Sequence, residues 1–146
     1  MARFALDTSC MVAAVCTWHE RHLSAVAEIE RRLARGGRLA VAAHALVEAY
    51  AVLTRLPAPN RLGPADAWAL VKGNFVDGAS VVALSGQAHI ALLRGLAGDG
   101  ISGGRSYDAV IAACARQAKV EALLTFNPRH FEPPPEGVAV IEPPPR

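Results

Sequence analysis

Three observations predict an α/β domain with a largely parallel sheet. Five short apolar runs, near residues 3 to 6, 38 to 42, 80 to 84, 121 to 125 and 138 to 141, lack the strict alternation of a sheet with one wet face. Such runs fit strands buried on both faces. Segments of helical periodicity lie between them, and a strand, helix, strand rhythm needs crossovers that leave the strands parallel. Finally, 146 residues with 52% hydrophobic and 19% charged content suit one compact domain spanning 1–146, with no linker or internal repeat to divide it.

The first run, Arg3-Phe4-Ala5-Leu6, closes on Asp7, the only acid before Glu20. A carboxylate there stands at a strand's C-terminal edge, where open α/β sheets bind ligands. Helices are expected over 10 to 17 and 20 to 35, the second with Leu23, Val26, Ile29 and Leu33 on one stripe and Gly36-Gly37 as its stop. Core packing is the default expectation for that stripe.

After the second strand, 43 to 55 reads as an Ala-rich helix in which Glu48 is the sole formal charge between Arg38 and Arg55. A solvated face usually mixes charges, so a lone Glu among small apolar residues points into a cleft or stands on a partly exposed Ala-rich face. Both readings stay open on this residue alone. The loop 56 to 63 is stiffened by Pro57 and Pro59, and Pro64 opens a helix over 64 to 76 with Trp68, Val71 and Phe75 on one stripe.

Helices follow at 86 to 97 and 107 to 118. Ser106 is the expected N-cap of the last, which puts Asp108 in a first turn whose dipole favours its charged form. Ala112 and Ala115 keep that face narrow, and Tyr107, Val110, Ile111, Cys114 and Ala118 form the core-facing stripe. Residues 133–146 are a Pro-rich edge strand and tail, with two Pro-Pro-Pro runs bracketing the final strand.

Composition narrows the function classes. The formal net charge of +2 does not demand nucleic acid, although all the 15 basic residues except Lys72 and Lys119 are Arg, which suits bidentate phosphate contacts. Cys10, Cys16 and Cys114 lie in apolar helical patterns without CxxC spacing, so buried thiols are expected rather than a disulfide or zinc site. No apolar run approaches the ~18 residues of a membrane span. The start passes directly into a strand, leaving no room for a leader, and a cytoplasmic location is expected.

Other signals are set aside. Gly98-Asp99-Gly100-Ile101-Ser102-Gly103 matches GxGxxG literally but follows a helix, so it reads as a loop ahead of Asp108. His19 and His22 are spaced i, i+3, which misses the HExxH pattern and reads as a solvated helix start. Arg31, Arg32, Arg35 and Arg38, interleaved with Glu28 and Glu30, read as a solvated face rather than an RNA track.

Asp7, Glu48 and Asp108 remain, each an isolated acid in apolar surroundings. Such carboxylates need a proton or a cation. If the fold gathers them, no Lys is at hand to balance three charges, and a hard divalent metal is the natural partner. Phosphodiester hydrolysis suits that chemistry, because carboxylate-held Mg²⁺ (or Mn²⁺) lowers the pKa of bound water and clamps the phosphate.

Together these segments resemble the PIN-domain ribonucleases of the VapC toxin type, over nearly the whole chain. Leu6-Asp7-Thr8-Ser9 is similar to that family's opening motif, Leu46-Val47-Glu48-Ala49-Tyr50 to its central Glu helix, and Tyr107-Asp108-Ala109-Val110-Ile111-Ala112-Ala113 to its second Asp helix. Thr125-Phe126-Asn127-Pro128-Arg129-His130-Phe131 resembles its closing Thr-x-Asn/Asp loop. The resemblance implies strand order 3-2-1-4-5 with the acids at the C-terminal edge and an RNA substrate. It also implies a cognate antitoxin protein as partner and a homodimer.

On this reading Asp7, Glu48 and Asp108 ligate the metal directly or through water. Asn127, which stands where some members carry a fourth acid, contributes from outside. The Thr8 or Ser9 hydroxyl orients Asp7 or the phosphate, and Arg105 and Arg129 hold substrate phosphates.

Two other acid-clustering folds fit poorly. A signalling receiver domain needs an acid pair after the first strand and a later Lys, and a haloacid-dehalogenase-type phosphatase needs Asp-x-Asp where this chain has Asp7-Thr8-Ser9. The remaining alternative is a non-catalytic PIN-like module that binds RNA or protein without cutting it.

Overall fold

A computed structural model describes residues 2–146. Five strands, β1 (Arg3–Leu6), β2 (Arg38–Ala42), β3 (Ser80–Val82), β4 (Ala122–Leu124) and β5 (Ala139–Ile141), form one sheet in the order β3-β2-β1-β4-β5. Every pairing is parallel, with Phe4 opposite both Leu39 and Ala122, and Ala40 opposite Ser80. The central strands β1, β2 and β4 are buried in consecutive residues, so neither face is wet and side-chain alternation vanishes from the sequence. The edge strands β3 and β5 are short and half exposed. Among the described residues no helix is long and apolar enough to cross a membrane.

Six helices carry the crossovers: α1 (Thr8–Val15), α2 (His22–Ala34), α3 (Ala43–Thr54), α4 (Pro64–Val71), α5 (Gly86–Gly98) and α6 (Arg105–Gln117). Helix α1 starts two residues before the expected position because Asp7 caps it, its side chain accepting from the Cys10 N–H. Ser85 caps α5 in the same way, bonding the Ala88 N–H at 3.1 Å. The expected single helix over 64 to 76 is α4 followed by one π-helical turn, Lys72–Val76, closed by the Asp77 N–H on Lys72 O and by a Lys72 to Asp77 ion pair. Phe131, Leu123, Leu124, Leu6 and Ile111 lie in one continuous core with Met11 and Leu53, and each such fully buried apolar side chain contributes about 1.5–3 kcal/mol.

Three expectations need correction. Ser106 is not the N-cap of α6: Gly104 takes that place, and Gly103 at φ +66° turns the chain so that Ser106 and Tyr107 N–H groups close the first turn on Gly103 and Gly104 carbonyls. Asp108 nevertheless stays in the first turn. On α6 the buried face is Ile111, Cys114, Ala115 and Ala118, so Ala115 belongs to the core while Tyr107 faces outward.

The α2 stripe is the third correction. Leu23 and Leu33 are 66% and 50% exposed, and the buried face is Ser24, Ala25 and Glu28. Small residues let α2 approach closely, and the buried Glu28 carboxylate is held by a forked bond from Arg31 with Arg32 at 3.8 Å. A stripe is buried only where another element covers it: Ile29 packs against the core and Val26 is partly buried, while Leu23 and Leu33 lie beyond that cover. The Arg cluster is thus partly a countercharge for a buried acid, which sets Glu28 below the usual carboxylate range through the Arg31 hydrogen bonds. The three cysteines are free and buried, as expected.

Gly37 enters β2 with no room for a side chain: a Cβ there would lie 2.7 Å from the Arg32 carbonyl oxygen. Because that neighbour is helix backbone, Gly37→Ala should destabilise the domain by about 1–3 kcal/mol, the usual range for overpacking. Urea unfolding monitored by circular dichroism measures it. A loss below a few tenths of a kcal/mol would show that the α2 to β2 turn yields freely.

Candidate active site

Chain reversal after β1 buries Asp7 at the sheet's C-terminal edge, 3% exposed. Its backbone N–H donates to Leu124 O at 3.0 Å, which ties the end of β1 to the end of β4. The side chain is a hub: Oδ1 accepts from Ser9 Oγ at 2.6 Å and from the Cys10 N–H at 2.9 Å, and Oδ2 accepts from Thr125 Oγ1. Thr125 Oγ1 in turn accepts from the Asn127 N–H at 2.9 Å, and Ser9 Oγ accepts from the Phe126 N–H at 3.1 Å. One carboxylate therefore holds the start of α1 and the whole 125–127 loop in register.

Glu48 and Asp108 reach the same edge from α3 and α6. Each faces a histidine: His44 Nε2 lies 2.9 Å from Glu48 Oε1, and His130 Nδ1 lies 3.1 Å from Asp108 Oδ2. His44 also stacks on Tyr107, ring centroids 5.1 Å apart and planes 27° from parallel. Asp108 lines a cleft of about 160 Å³ together with Arg105, His130 and Glu132. A larger concavity, about 760 Å³ between α2 and residues 73 to 79, contains none of the three acids.

All three carboxyls are raised above their ordinary pKa, and in each the largest cause is burial. Hydrogen bonds from Ser9, Thr125 and Cys10 oppose the shift at Asp7, and His44 and His130 oppose it at Glu48 and Asp108. The acids also act on one another: Asp108 raises Asp7, and both Asp108 and Asp7 raise Glu48. The three are therefore close enough to share an electrostatic field.

The donor set is oxygen-only and in excess of negative charge, which fits a hard divalent ion. Among the described residues no three His, Cys, Asp or Glu side chains are already gathered around one point. Glu48 and Asp108 are instead turned onto their histidines.

The other sequence-predicted residues divide. Ser9, not Thr8, bonds Asp7; the Thr8 hydroxyl oxygen is buried without a hydrogen-bond partner. Arg105 lies near enough to Asp108 to draw its pKa down. Arg129 is exposed in the 3₁₀ turn Pro128–Phe131. Asn127 joins the hub by its backbone, and its exposed side chain does not cap the turn that it precedes.

Sequence reasoning did not single out Thr125, His44 or His130. His44 had a readable signal, standing one helical turn before Glu48. Thr125 was legible only as the Thr of the closing Thr-x-Asn/Asp loop, not as a partner of Asp7, and His130 had no signal, because their partners are distant in sequence.

A parallel five-stranded sheet with carboxylates from the first strand and two separate crossover helices at one edge defines an acidic-edge hydrolase-like domain. The chain belongs to the PIN domain family, whose model matches residues 4–134. It is 40% identical to Ribonuclease VapC40 of Mycobacterium tuberculosis over 126 residues, covering 86% of this chain and 87% of that protein. Against Ribonuclease VapC27 of the same organism the identity is 38% over 117 residues, 80% of each chain. Among solved structures, the fold is similar to the sarcin-ricin loop cleaving toxin VapC20 of Mycobacterium tuberculosis, with TM-score 0.69 and 19% identity over 92% of this chain and 98% of that one. It is also similar to DNA-bound VapBC from Salmonella typhimurium, with TM-score 0.67 and 23% identity over 97% and 98%.

Burial gives the three carboxyls a higher proton affinity in the folded chain than in the unfolded one. Their contribution to stability is therefore fully present below their unfolded pKa values and is lost as pH rises through the folded ones. In EDTA, Asp7→Asn should equal or exceed the wild type in stability at pH 7 and flatten the decline that begins as pH rises above the ordinary carboxyl value of about 3.8. Asp7→Ala should fall about 1–2 kcal/mol below Asp7→Asn, having lost the helix cap. Denaturant melts across that pH range give both numbers, and an Asp7→Asn variant weaker than wild type at pH 7 would mean that the charge is stabilising.

Proposed function

We propose that this chain is a metal-dependent ribonuclease of the VapC type, the toxin of a toxin-antitoxin pair, which hydrolyses RNA phosphodiester bonds. The observation that carries the reading is the convergence of Asp7, Glu48 and Asp108 at one sheet edge, where each is raised by burial and two are raised further by the others. Three carboxylates under that stress are a poor resting arrangement for a binding module and a good receptor for a divalent cation. The VapC relatives named above support the substrate class.

Asp7, Glu48 and Asp108 would hold Mg²⁺ (or Mn²⁺), directly or through water. Bound there, the ion would lower the pKa of an attacking water and offset charge on the scissile phosphate. Ser9 and Thr125 orient Asp7, leaving its carboxylate fixed for the ion rather than free to rotate. The buried Thr8 hydroxyl has no hydrogen-bond partner and would reach a phosphate oxygen only after a local rearrangement, so Ser9 is the hydroxyl that orients Asp7. Arg105, which lines the cleft with Asp108, and Arg129, exposed in the closing turn, would supply phosphate contacts.

Asn127 contributes from outside the three acids, by holding a water through its amide. The partners on this reading are RNA, a cognate antitoxin protein and a second copy of the chain. Solved VapBC complexes of the same fold support the antitoxin.

Asp7→Asn, Glu48→Gln and Asp108→Asn should each abolish RNA cleavage while leaving the circular dichroism spectrum unchanged, and EDTA should silence the wild type reversibly. Near-wild-type cleavage by any one variant removes that residue from the set. Activity that survives exhaustive chelation defeats the metal mechanism, and RNA binding without cleavage in Mn²⁺ favours the non-catalytic module.

Asn127→Ala should slow cleavage by roughly 10- to 100-fold, the range for residues that support metal ligands. Asn127→Asp should keep activity and tighten Mn²⁺ binding by adding a charge toward the ion. Isothermal titration with Mn²⁺ decides the matter: unchanged affinity in Asn127→Asp takes Asn127 out of the site.

A further inference from the structure

We propose that Tyr107, stacked on His44, is the platform on which an unpaired nucleobase of the RNA rests beside the scissile phosphate. The inference rests on the ribonuclease reading and adds to it a base-binding subsite.

Placement is the first support. Tyr107 immediately precedes Asp108 on α6, and it stacks on the ring whose Nε2 lies 2.9 Å from Glu48. The aromatic pair thus bridges the rim between the two helices that carry acids. Exposure is the second. Tyr107 is 52% exposed and Val47, the neighbour of Glu48 on α3, is 67% exposed, so apolar surface stands open beside Glu48 and Asp108.

Charge makes such a surface useful. Arg105 and Arg129 would attract any phosphate alike, so placing one nucleotide beside the acids calls for a contact that does not depend on charge. Stacking of a base on an aromatic face is such a contact, and every base offers a face. A lone surface Tyr would be unremarkable, but this ring is stacked on His44, with centroids 5.1 Å apart. A ring already fixed in place loses less freedom on binding. A base can lie on it only if that base is not paired in a duplex, because its own face must be free of stacked neighbours.

The test measures binding in an Asp7→Asn background, which should not cut, with Mg²⁺ present and fluorescein-labelled single-stranded RNA followed by anisotropy. Tyr107→Phe should bind within about twofold of the parent, because the ring is retained. Tyr107→Leu, similar in size but not aromatic, should weaken binding about tenfold. A single abasic site walked along the RNA should weaken binding at one position near the cleavage point, and there the abasic and Tyr107→Leu losses should not add. In the otherwise wild-type enzyme Tyr107→Leu should raise KM about tenfold with kcat within twofold.

Additive losses at every abasic position, or equal affinity for Tyr107→Leu and Tyr107→Phe, overturn the platform while leaving the ribonuclease reading intact. A purely structural role for Tyr107, as a clamp on His44, would appear as a lowered kcat and a lowered melting temperature without any abasic coupling, and that also overturns it. RNA neither bound nor cut by any form of the protein would instead defeat the ribonuclease reading, and the platform with it.

Discussion

A carboxylate buried at the end of a strand is the constraint around which this domain is organised. Asp7 cannot remain ionised in an apolar interior without donors, and three groups supply them: the adjacent Ser9 hydroxyl and Cys10 N–H, and the distant Thr125 hydroxyl. The Cys10 bond is also the cap that starts α1. The Thr125 bond crosses from β1 to β4 and, through Asn127 N–H, shapes the loop that follows. Satisfying one charge therefore sets the helix entry, the sheet register at its functional edge and the closing loop together.

Charge at that edge is unbalanced by design of the residues around it. His44 and His130 face Glu48 and Asp108, and Arg105 acts on Asp108, yet all three carboxyls remain raised above their ordinary values. Burial outweighs the nearby histidines and Arg105. The same domain handles another buried acid differently: Glu28 has Arg31 and Arg32 within ion-pair distance and lies below the usual range. One site is electrostatically satisfied and the other is left open, which is the difference expected between a structural acid and one reserved for a ligand.

The surface shows a similar division. Helix α2 packs through Ser24, Ala25 and Glu28 and turns Leu23 and Leu33 outward, while α5 buries only Leu96 and exposes Ile90 and Leu93. Both helices thus have apolar stripes facing away from the sheet. Helix α6, by contrast, splits its apolar residues between the core, through Ile111 and Cys114, and the rim of the acidic edge, through Tyr107.

The sequence by itself determined the fold class, the positions of all five strands and six helices to within a few residues, and the three isolated acids that the fold brings to one edge, because buried parallel strands and isolated carboxylates leave local signatures. It did not reveal which face of α2 is buried, since a small-residue face and a leucine face are both consistent with helical periodicity. Nor did it show that Gly104 rather than Ser106 caps α6, because that choice follows from the path of the Gly103 turn. Thr125 on Asp7, His130 on Asp108 and Tyr107 on His44 join residues from 22 to 118 positions apart, and only the folded sheet brings them within reach. Local pattern decides what each segment becomes, whereas hydrogen-bond partners and packing faces depend on where the other segments come to rest.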